Sequence, residues 1–322
     1  MLISFVISTT QKEDNRVLKT LTSLDQQTSI DYEVILINDN PSISKEEHDA
    51  LGALFIKNKR LVLVDNSKPQ SDAFNWNLGV SLARGTYVVF VKEGDVLNPS
   101  TVETIKKVSQ KATNKAVDVV QFQRKLIGLY EVEKTPSVLI EDHLYDLSEN
   151  KEVFAYVDAT IYNKAFRTSL LIDDEIKFKP RVRYDALFLY DVLAKSDSFY
   201  NLGANLLTNT VSIPRYSVFD VTNQWPHILN NYRRMGIYKT MRDEITYAQF
   251  YNLYANFLGL IKRFKNKTLY KKALIFVRDK YEGRIDLFVR TNPIFKEAKH
   301  SQFNGDFENF NSFIKTELKK NR

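Results

Sequence analysis

The stretch Asn75–Pro99, NWNLGVSLARGTYVVFVKEGDVLNP, decides how the rest of the chain is read. It opens inside a helix-like run, Ala73–Ala83, and breaks at Gly85. A β-branched, apolar run of strand length, Tyr87–Val91, follows. That run ends in Lys92-Glu93-Gly94-Asp95, and Asn98-Pro99-Ser100 then reads as the start of a helix over Thr101–Val108. The same alternation extends outward in both directions. Upstream lie strand-like Leu2–Ile7, Tyr32–Ile37 and Arg60–Val64, separated by helix-like Arg16–Leu24 and Lys45–Ile56. Downstream lies a fifth strand, Val117–Phe122. Strand and helix in alternation predict an α/β fold, a mostly parallel sheet with helices on both faces. Ligands of such sheets sit beyond the carboxyl ends of the strands. There the chain is polar: Ser8-Thr9-Thr10-Gln11, Asn38-Asp39-Asn40-Pro41-Ser42, Asp65-Asn66-Ser67-Lys68 and Lys92-Glu93-Gly94-Asp95.

Further along, the pattern weakens from Lys125 to Val153. It returns at Thr160–Leu171, at a helix-spaced Tyr184–Ala194 and at a strand-like Phe199–Val211. Beyond Asp220 the chain reads as helical. Phe250, Leu253, Tyr254, Phe257, Ile261 and Phe264 recur at i, i+3 and i+4 and predict a helix-packing stripe. The predicted division is an α/β domain over 1–218 and a helical region over 219–322. Charge follows the same line: the chain to Asp220 carries a net −4, and Val221–Arg322 a net +11.

Composition narrows the chemistry. With no cysteine, thiolate catalysis, disulfides and cysteine zinc sites are excluded. The four histidines never fall at i, i+3 or i+4, so a helical two-histidine metal site is excluded too. Neither GxGxxG nor GxxxxGK[ST] occurs, which argues against dinucleotide and P-loop enzymes. No apolar run approaches the length of a transmembrane helix. The start, MLISFVISTTQKEDN, lacks the basic flank of a signal peptide, so a cytoplasmic location is expected.

At this point the chain resembles the family 2 glycosyltransferases. The likeness covers about residues 1–217 and rests on the order and spacing of several segments: Ile3–Gln11, Tyr32–Ser42, Asn75–Pro99, Ile161–Phe178 and Arg183–Lys195. It implies a GT-A fold, that is, a Rossmann-like nucleotide-diphospho-sugar transferase domain, followed here by a helical C-terminal region. Enzymes that decorate bacterial teichoic acid, capsule or surface glycans look similar in length. The activity implied is inverting transfer of a sugar from a nucleotide donor, with UDP expected, to a surface-glycan acceptor.

Such a reaction needs a general base at the acceptor hydroxyl and positive charge at the departing diphosphate. Asp185 matches the Asp of the family's Glu-Asp pair, with Tyr184 in place of the Glu, and is the implied base. Read without the family, it is a carboxylate at a helix N-terminus. Asp39 matches the second Asp of an Asp-Asp element that accepts from the pyrimidine N–H, and Asn38 replaces the first. Asn-Asp-Asn-Pro is also an Asx-turn sequence. Ser8 and Thr10 match positions that wrap the nucleoside, and Asn77 follows Trp76, which replaces the family's Arg. Arg215 is expected to reach the diphosphate.

The family's Asp-x-Asp-Asp metal motif reads Lys92-Glu93-Gly94-Asp95 here. The resemblance implies Mn²⁺ or Mg²⁺ at Asp95, yet its usual ligand position holds Gly94. Three alternatives stand: Lys92 neutralises the diphosphate; Glu93 and Asp95 hold a metal in a shifted register; or the chain is a catalytically silent partner of an active transferase.

The basic tail is densest at Ile261–Lys272, IKRFKNKTLYKK, with six cations and no acid. It fits a polyanionic acceptor or the anionic inner face of the membrane, where each cation contributes about 1 kcal/mol. It equally fits a solvated helix face, a docking module, a homo-oligomer or a partner transferase. A nucleic-acid partner is not expected, since no accompanying motif is found. Arg181 and Arg183 are expected to guide an anionic acceptor or to solvate a loop.

Overall fold

Four apolar runs pair in parallel as β1 (Ile3–Thr9), β2 (Tyr32–Asn38), β3 (Leu61–Asp65) and β4 (Tyr87–Lys92), in the order β3-β2-β1-β4. The computed structural model describes residues 1–10, 16–41, 49, 53, 60–111, 116–180, 182, 185–214 and 217–321. Most of the helix read over Lys45–Ile56, together with Gln11, Ser42, Arg181, Arg183, Tyr184 and Arg215, lies outside them. Strands β1, β2 and β4 are almost wholly buried, which is why they read as unbroken apolar runs and not as alternating ones. Their layers include α1 (Arg16–Asp25), which buries Val17, Leu21 and Leu24 in the sheet core, and α2 (Asp72–Leu82). Ser71 caps α2 by accepting from Phe74 N at 3.2 Å. A Cβ at Gly79 of α2 would lie 2.1 Å from Val6 Cγ1, so glycine lets this helix approach β1.

Beyond β4 the sheet is mixed, not mostly parallel. Short β5 (Val96–Leu97) leads into α3 (Thr101–Ser109), and β6 (Val119–Gly128) follows. Then come β7 (His143–Asp146), β8 (Lys164–Arg167) and β9 (Ser198–Val211). Strand β8 enters between β4 and β6, antiparallel to both, while β9 runs parallel to β6. Strands β5 and β7 lie antiparallel on β9. At the end of β8, Arg167 grips Asp118 Oδ1 through Nε at 2.7 Å and Nη2 at 2.6 Å.

Contacts divide the chain into two units, Met1–Glu149 with Thr160–Val211, and Asn150–Ala159 with Ser212–Arg322. The sheet belongs to the first. In the second, α4 (Glu152–Tyr156) joins the C-terminal helices; α5 (Thr168–Asp173) and α6 (Ala186–Leu193) belong to the first. The second unit continues with α7 (Gln224–Arg234), α8 (Arg242–Asn252), a π-helical segment Leu253–Leu258, α9 (Gly259–Arg263) and α10 (Lys267–Thr291). It closes with α11 (Pro293–Lys296), α12 (Ser301–Glu308) and α13 (Phe310–Lys320).

The predicted stripe places four residues in the core of this second unit, Phe250, Leu253, Phe257 and Ile261, while Tyr254 and Phe264 are half-buried. The π-helical segment rephases it, since each wider turn shifts the buried face. Phe250, Phe288, Phe295, Phe303 and Phe307 pack edge-to-face or tilted around it. Among the described residues no helix is long and apolar enough to cross a membrane.

Candidate active site

The strand order reverses between β1 and β4, the point at whose carboxyl edge ligands of such sheets sit. Ser8 of β1 stands in register with Lys92 of β4, one on each side of that point, and Thr9 pairs with Asn38 of β2. The predicted residues Ser8, Thr10, Asp39, Lys92, Glu93 and Asp95 therefore share one edge of the sheet.

On the β2 side a polar chain is already built. Asp39 N donates to Thr9 O at 2.7 Å, and Asp39 Oδ1 accepts from Asn66 Nδ2 at 2.7 Å and Gln70 N at 2.8 Å. Asn66 Nδ2 also donates to Asn75 Oδ1 at 2.9 Å, and Asn75 Nδ2 donates to Ser8 Oγ at 3.0 Å. Asp39 is thus fixed in place with its Oδ2 unclaimed among the described residues. Asn38, where the family has its first Asp, donates from Nδ2 to Asp65 Oδ1 at 2.8 Å and is buried. A second carboxylate at that position would face Asp65 with no proton between them, which is a physical reason for the amide.

Asp185 sits at the N-cap of α6, yet its side chain makes no cap hydrogen bond. Burial pushes its carboxyl up to about 7, and the Asp72 charge adds to this; Lys92, Lys164 and Arg124 oppose it. Asp72 opens α2 only two residues beyond Gln70, the residue held by Asp39, so both predicted acids belong to one neighbourhood. Tyr162 stands among the same carboxylates, and burial with the charges of Asp185, Asp72 and Asp95 pushes its phenol well above the usual range. Lys164 is fully buried and donates from Nζ to Thr160 O at 2.7 Å and Asn163 Oδ1 at 2.9 Å.

Aromatic packing holds α6. Phe188, one turn past Asp185, stacks on Phe178 at 3.9 Å and meets Phe90 and Phe166 edge-on. Trp76 joins this cluster against Phe90 at 5.2 Å and Tyr162 at 6.3 Å. It is a core side chain, so the position that carries an Arg in the family serves packing here. Asn77 is likewise committed to the fold. Its Nδ2 donates to Phe178 O at 3.0 Å, and its Oδ1 accepts from Phe178 N at 2.8 Å. That amide positions the segment that leads to Asp185.

On the β4 side, Glu93 accepts from Thr9 Oγ1 at 2.8 Å. Gly94 has a φ of 92°, in the left-handed region, donates to Thr20 Oγ1 at 2.9 Å and accepts from Thr210 Oγ1 at 3.2 Å. An Asp there would be strained. Asp95 is 0% exposed; its two oxygens both accept from Asn209 Nδ2, each at 2.8 Å, and Oδ1 accepts again from Thr210 N at 2.9 Å. Burial pushes Asp95 up to about 6, with those bonds and the charges of Lys92 and Arg124 opposing.

A hard divalent cation takes several oxygen ligands. Asp95 is sealed against one, Glu93 is bonded to Thr9, and Gly94 offers no side chain. Among the described residues no three His, Asp or Glu side chains converge as a metal-binding group. The described residues do not form the donor set that Mn²⁺ or Mg²⁺ would use.

Several participants fell outside the sequence reading: Gln70, Asp72, Tyr162, Lys164, Arg124 and Asn209. Arg124 was within reach of the rule applied to the first four strands, because Gln123-Arg124 directly follows the fifth run. Asn66 lay in the polar segment after β3 but had no assigned role.

Comparison with known proteins agrees with this fold. The family model described as "Glycosyl transferase family 2" matches residues 4–173, more than half of the chain. An uncharacterized glycosyltransferase of Methanocaldococcus jannaschii is 23% identical over 186 residues, 57% of this chain and 59% of that protein. The chain thus spans about three fifths of that relative. The crystal structure of Staphylococcus aureus TarS 1-349 in complex with UDP superposes with a TM-score of 0.65 at 18% identity, covering 95% of this chain and 89% of that one. Its complex with UDP-GlcNAc gives 0.65 at 17%, with the same coverage. The mannosyltransferase PcManGT of Pyrobaculum calidifontis, in complex with GDP-Man and Mn²⁺, gives 0.52 at 11%, covering 95% and 85%.

Proposed function

This chain belongs to glycosyl transferase family 2, and we propose that it moves a sugar from a UDP-linked donor to a hydroxyl of a surface-glycan acceptor with inversion. The acceptor oxygen attacks the anomeric carbon as the bond from that carbon to the diphosphate breaks. The electron pair of that bond leaves on the diphosphate, and the hydroxyl proton passes to Asp185. The observation that carries this reading is Asp185 itself: a carboxylate at the N-cap of α6 that makes no cap hydrogen bond, within the field of Lys92 at the end of β4, and pushed to about 7 by burial and Asp72. A base poised near neutral pH is the one best suited to take a proton in a transition state. Asp39, pinned by Asn66 and Gln70, supports recognition of the pyrimidine, and the UDP and UDP-GlcNAc complexes of TarS support the choice of nucleotide.

The test is UDP release from UDP-sugars in the presence of glycan acceptors, followed against pH. The rate should fall below about pH 7 and not below about pH 4, because the base must be unprotonated to act. Asp185→Asn should abolish release and spare UDP binding. Turnover retained by that variant would remove Asp185 from the reaction. A second reading, a silent partner of another transferase, draws on Trp76 being committed to the core. Bound UDP without release from any donor tried would favour it.

A further inference from the structure

We propose that this chain holds the diphosphate of its donor with two side-chain cations, the Lys92 ammonium and the Arg124 guanidinium, in place of a divalent metal. The inference rests on the reading of the donor as a nucleoside diphosphate sugar and adds how that donor is held. Arg124 Nη1 donates to Asn209 Oδ1 at 2.8 Å, and the other end of that same amide grips both oxygens of the buried Asp95. The acid that remains in Lys92-Glu93-Gly94-Asp95 is a positioning residue: it fixes Asn209, and Asn209 fixes Arg124.

The backbone is bent to make this arrangement. Phe122 of β6 pairs with Leu202 of β9, yet Arg124 pairs with Leu207, so β9 spends five steps where β6 spends two. Such a break in register, like a bulge, re-aims the side chains that follow it. Here it draws Asn209 back to the register of Leu126, diagonal to Arg124 on the same face. The carbonyl of bulge residue Leu206 is not wasted, since Asn98 N donates to it at 2.9 Å and Thr101 Oγ1 at 3.1 Å.

Lys92 reaches the same place from β4, opposite Ser8. The charges of both cations act on Asp95 and on Asp185, so the two lie in the neighbourhood of the proposed base. Two unit charges equal what a divalent ion would bring. Guanidinium forks match phosphate oxygens, and an ammonium serves phosphate as a point charge.

The experiment is calorimetric titration of the full chain with UDP and with uridine, in EDTA and in Mn²⁺. UDP affinity should be the same in both to within about threefold, well short of the tenfold that one charge-assisted bond is worth. Arg124→Gln should weaken UDP by about tenfold or more and leave uridine unchanged. Lys92→Met, at the half-exposed end of β4, should show the same loss of UDP over uridine, and it keeps the test decisive should the Arg124 variant not fold. UDP binding that collapses in EDTA, or a UDP-to-uridine ratio untouched in the folded variants, overturns the proposal while the donor reading survives. Binding of neither UDP nor uridine by the wild type overturns the donor reading, and this proposal with it.

Discussion

Asp185→Asn should make the protein more stable at high pH, and the gain should shrink as pH falls. The Asp185 carboxyl is raised from 3.8 to about 7 in the fold. Between those values the folded chain holds a proton that the unfolded chain has released. Stability therefore falls as pH rises through that window, and the loss is complete above about pH 7. At 1.36 kcal/mol per pH unit the full penalty is about 4 kcal/mol at pH 8 and about 1.5 kcal/mol at pH 5. Asp185 keeps some accessible surface, so solvent screens the charge and these values are ceilings. Asparagine keeps the shape and removes the charge. Asp95, raised to about 6, titrates in both proteins and cancels in the comparison. Urea denaturation of wild type and variant at pH 5 and pH 8 should show a gap that widens by up to about 2.5 kcal/mol. In a domain of this size each kcal/mol moves the melting temperature by about 2–4 °C, so scanning calorimetry gives an independent reading. A gap that stays flat with pH, or a variant less stable than wild type at pH 8, refutes the buried-carboxylate argument and weakens the case for Asp185 as a tuned base.

Other consequences follow from the same geometry. Phe188→Ala removes the ring stacked on Phe178 and should cost about 3–5 kcal/mol in thermal or urea unfolding, with the transfer rate falling as α6 loosens. Asn38→Asp sets a carboxylate against Asp65 where an amide now donates, and should destabilise by about 1–3 kcal/mol at pH 7 and by less at pH 4, where one acid can carry a proton; unfolding at the two pH values measures it. For the tail, Lys265, Lys267, Lys271 and Lys272 are exposed in the helical unit. Flotation with anionic vesicles should succeed at low salt and fail at high salt, and reversing these four charges should abolish it; equal recovery on neutral vesicles defeats the electrostatic account.

Strands β1, β2 and β4 were legible because their burial on both faces leaves a continuous, largely β-branched apolar run bounded by polar residues. The polar segments after those strands were legible because the change from apolar to polar residues is abrupt there. Asp39 and Asp185 were singled out by resemblance, and each has local company that its own sequence neighbourhood does not reveal. Asn77 illustrates the limit. Its position implied a ligand, but its amide pairs with the backbone of Phe178, a partner 101 residues away. Trp76 is similar, since nothing in Asn75-Trp76-Asn77 announces a five-ring cluster with Phe90, Phe166, Phe178 and Phe188.

The sequence by itself determined the α/β class, the helical character and charge of the tail, and the edge of the sheet on which polar chemistry gathers, because periodicity, burial and net charge are local sums. Tertiary structure alone decided what became of the degenerate metal motif. Whether an aspartate binds a cation or is sealed beneath an amide depends on which strand returns beside it. Asp95 meets Asn209 only because β9 bulges against β6, more than a hundred residues later in the chain. A side chain's partners in a mixed sheet are set by register, and register across distant strands is not written in any one segment.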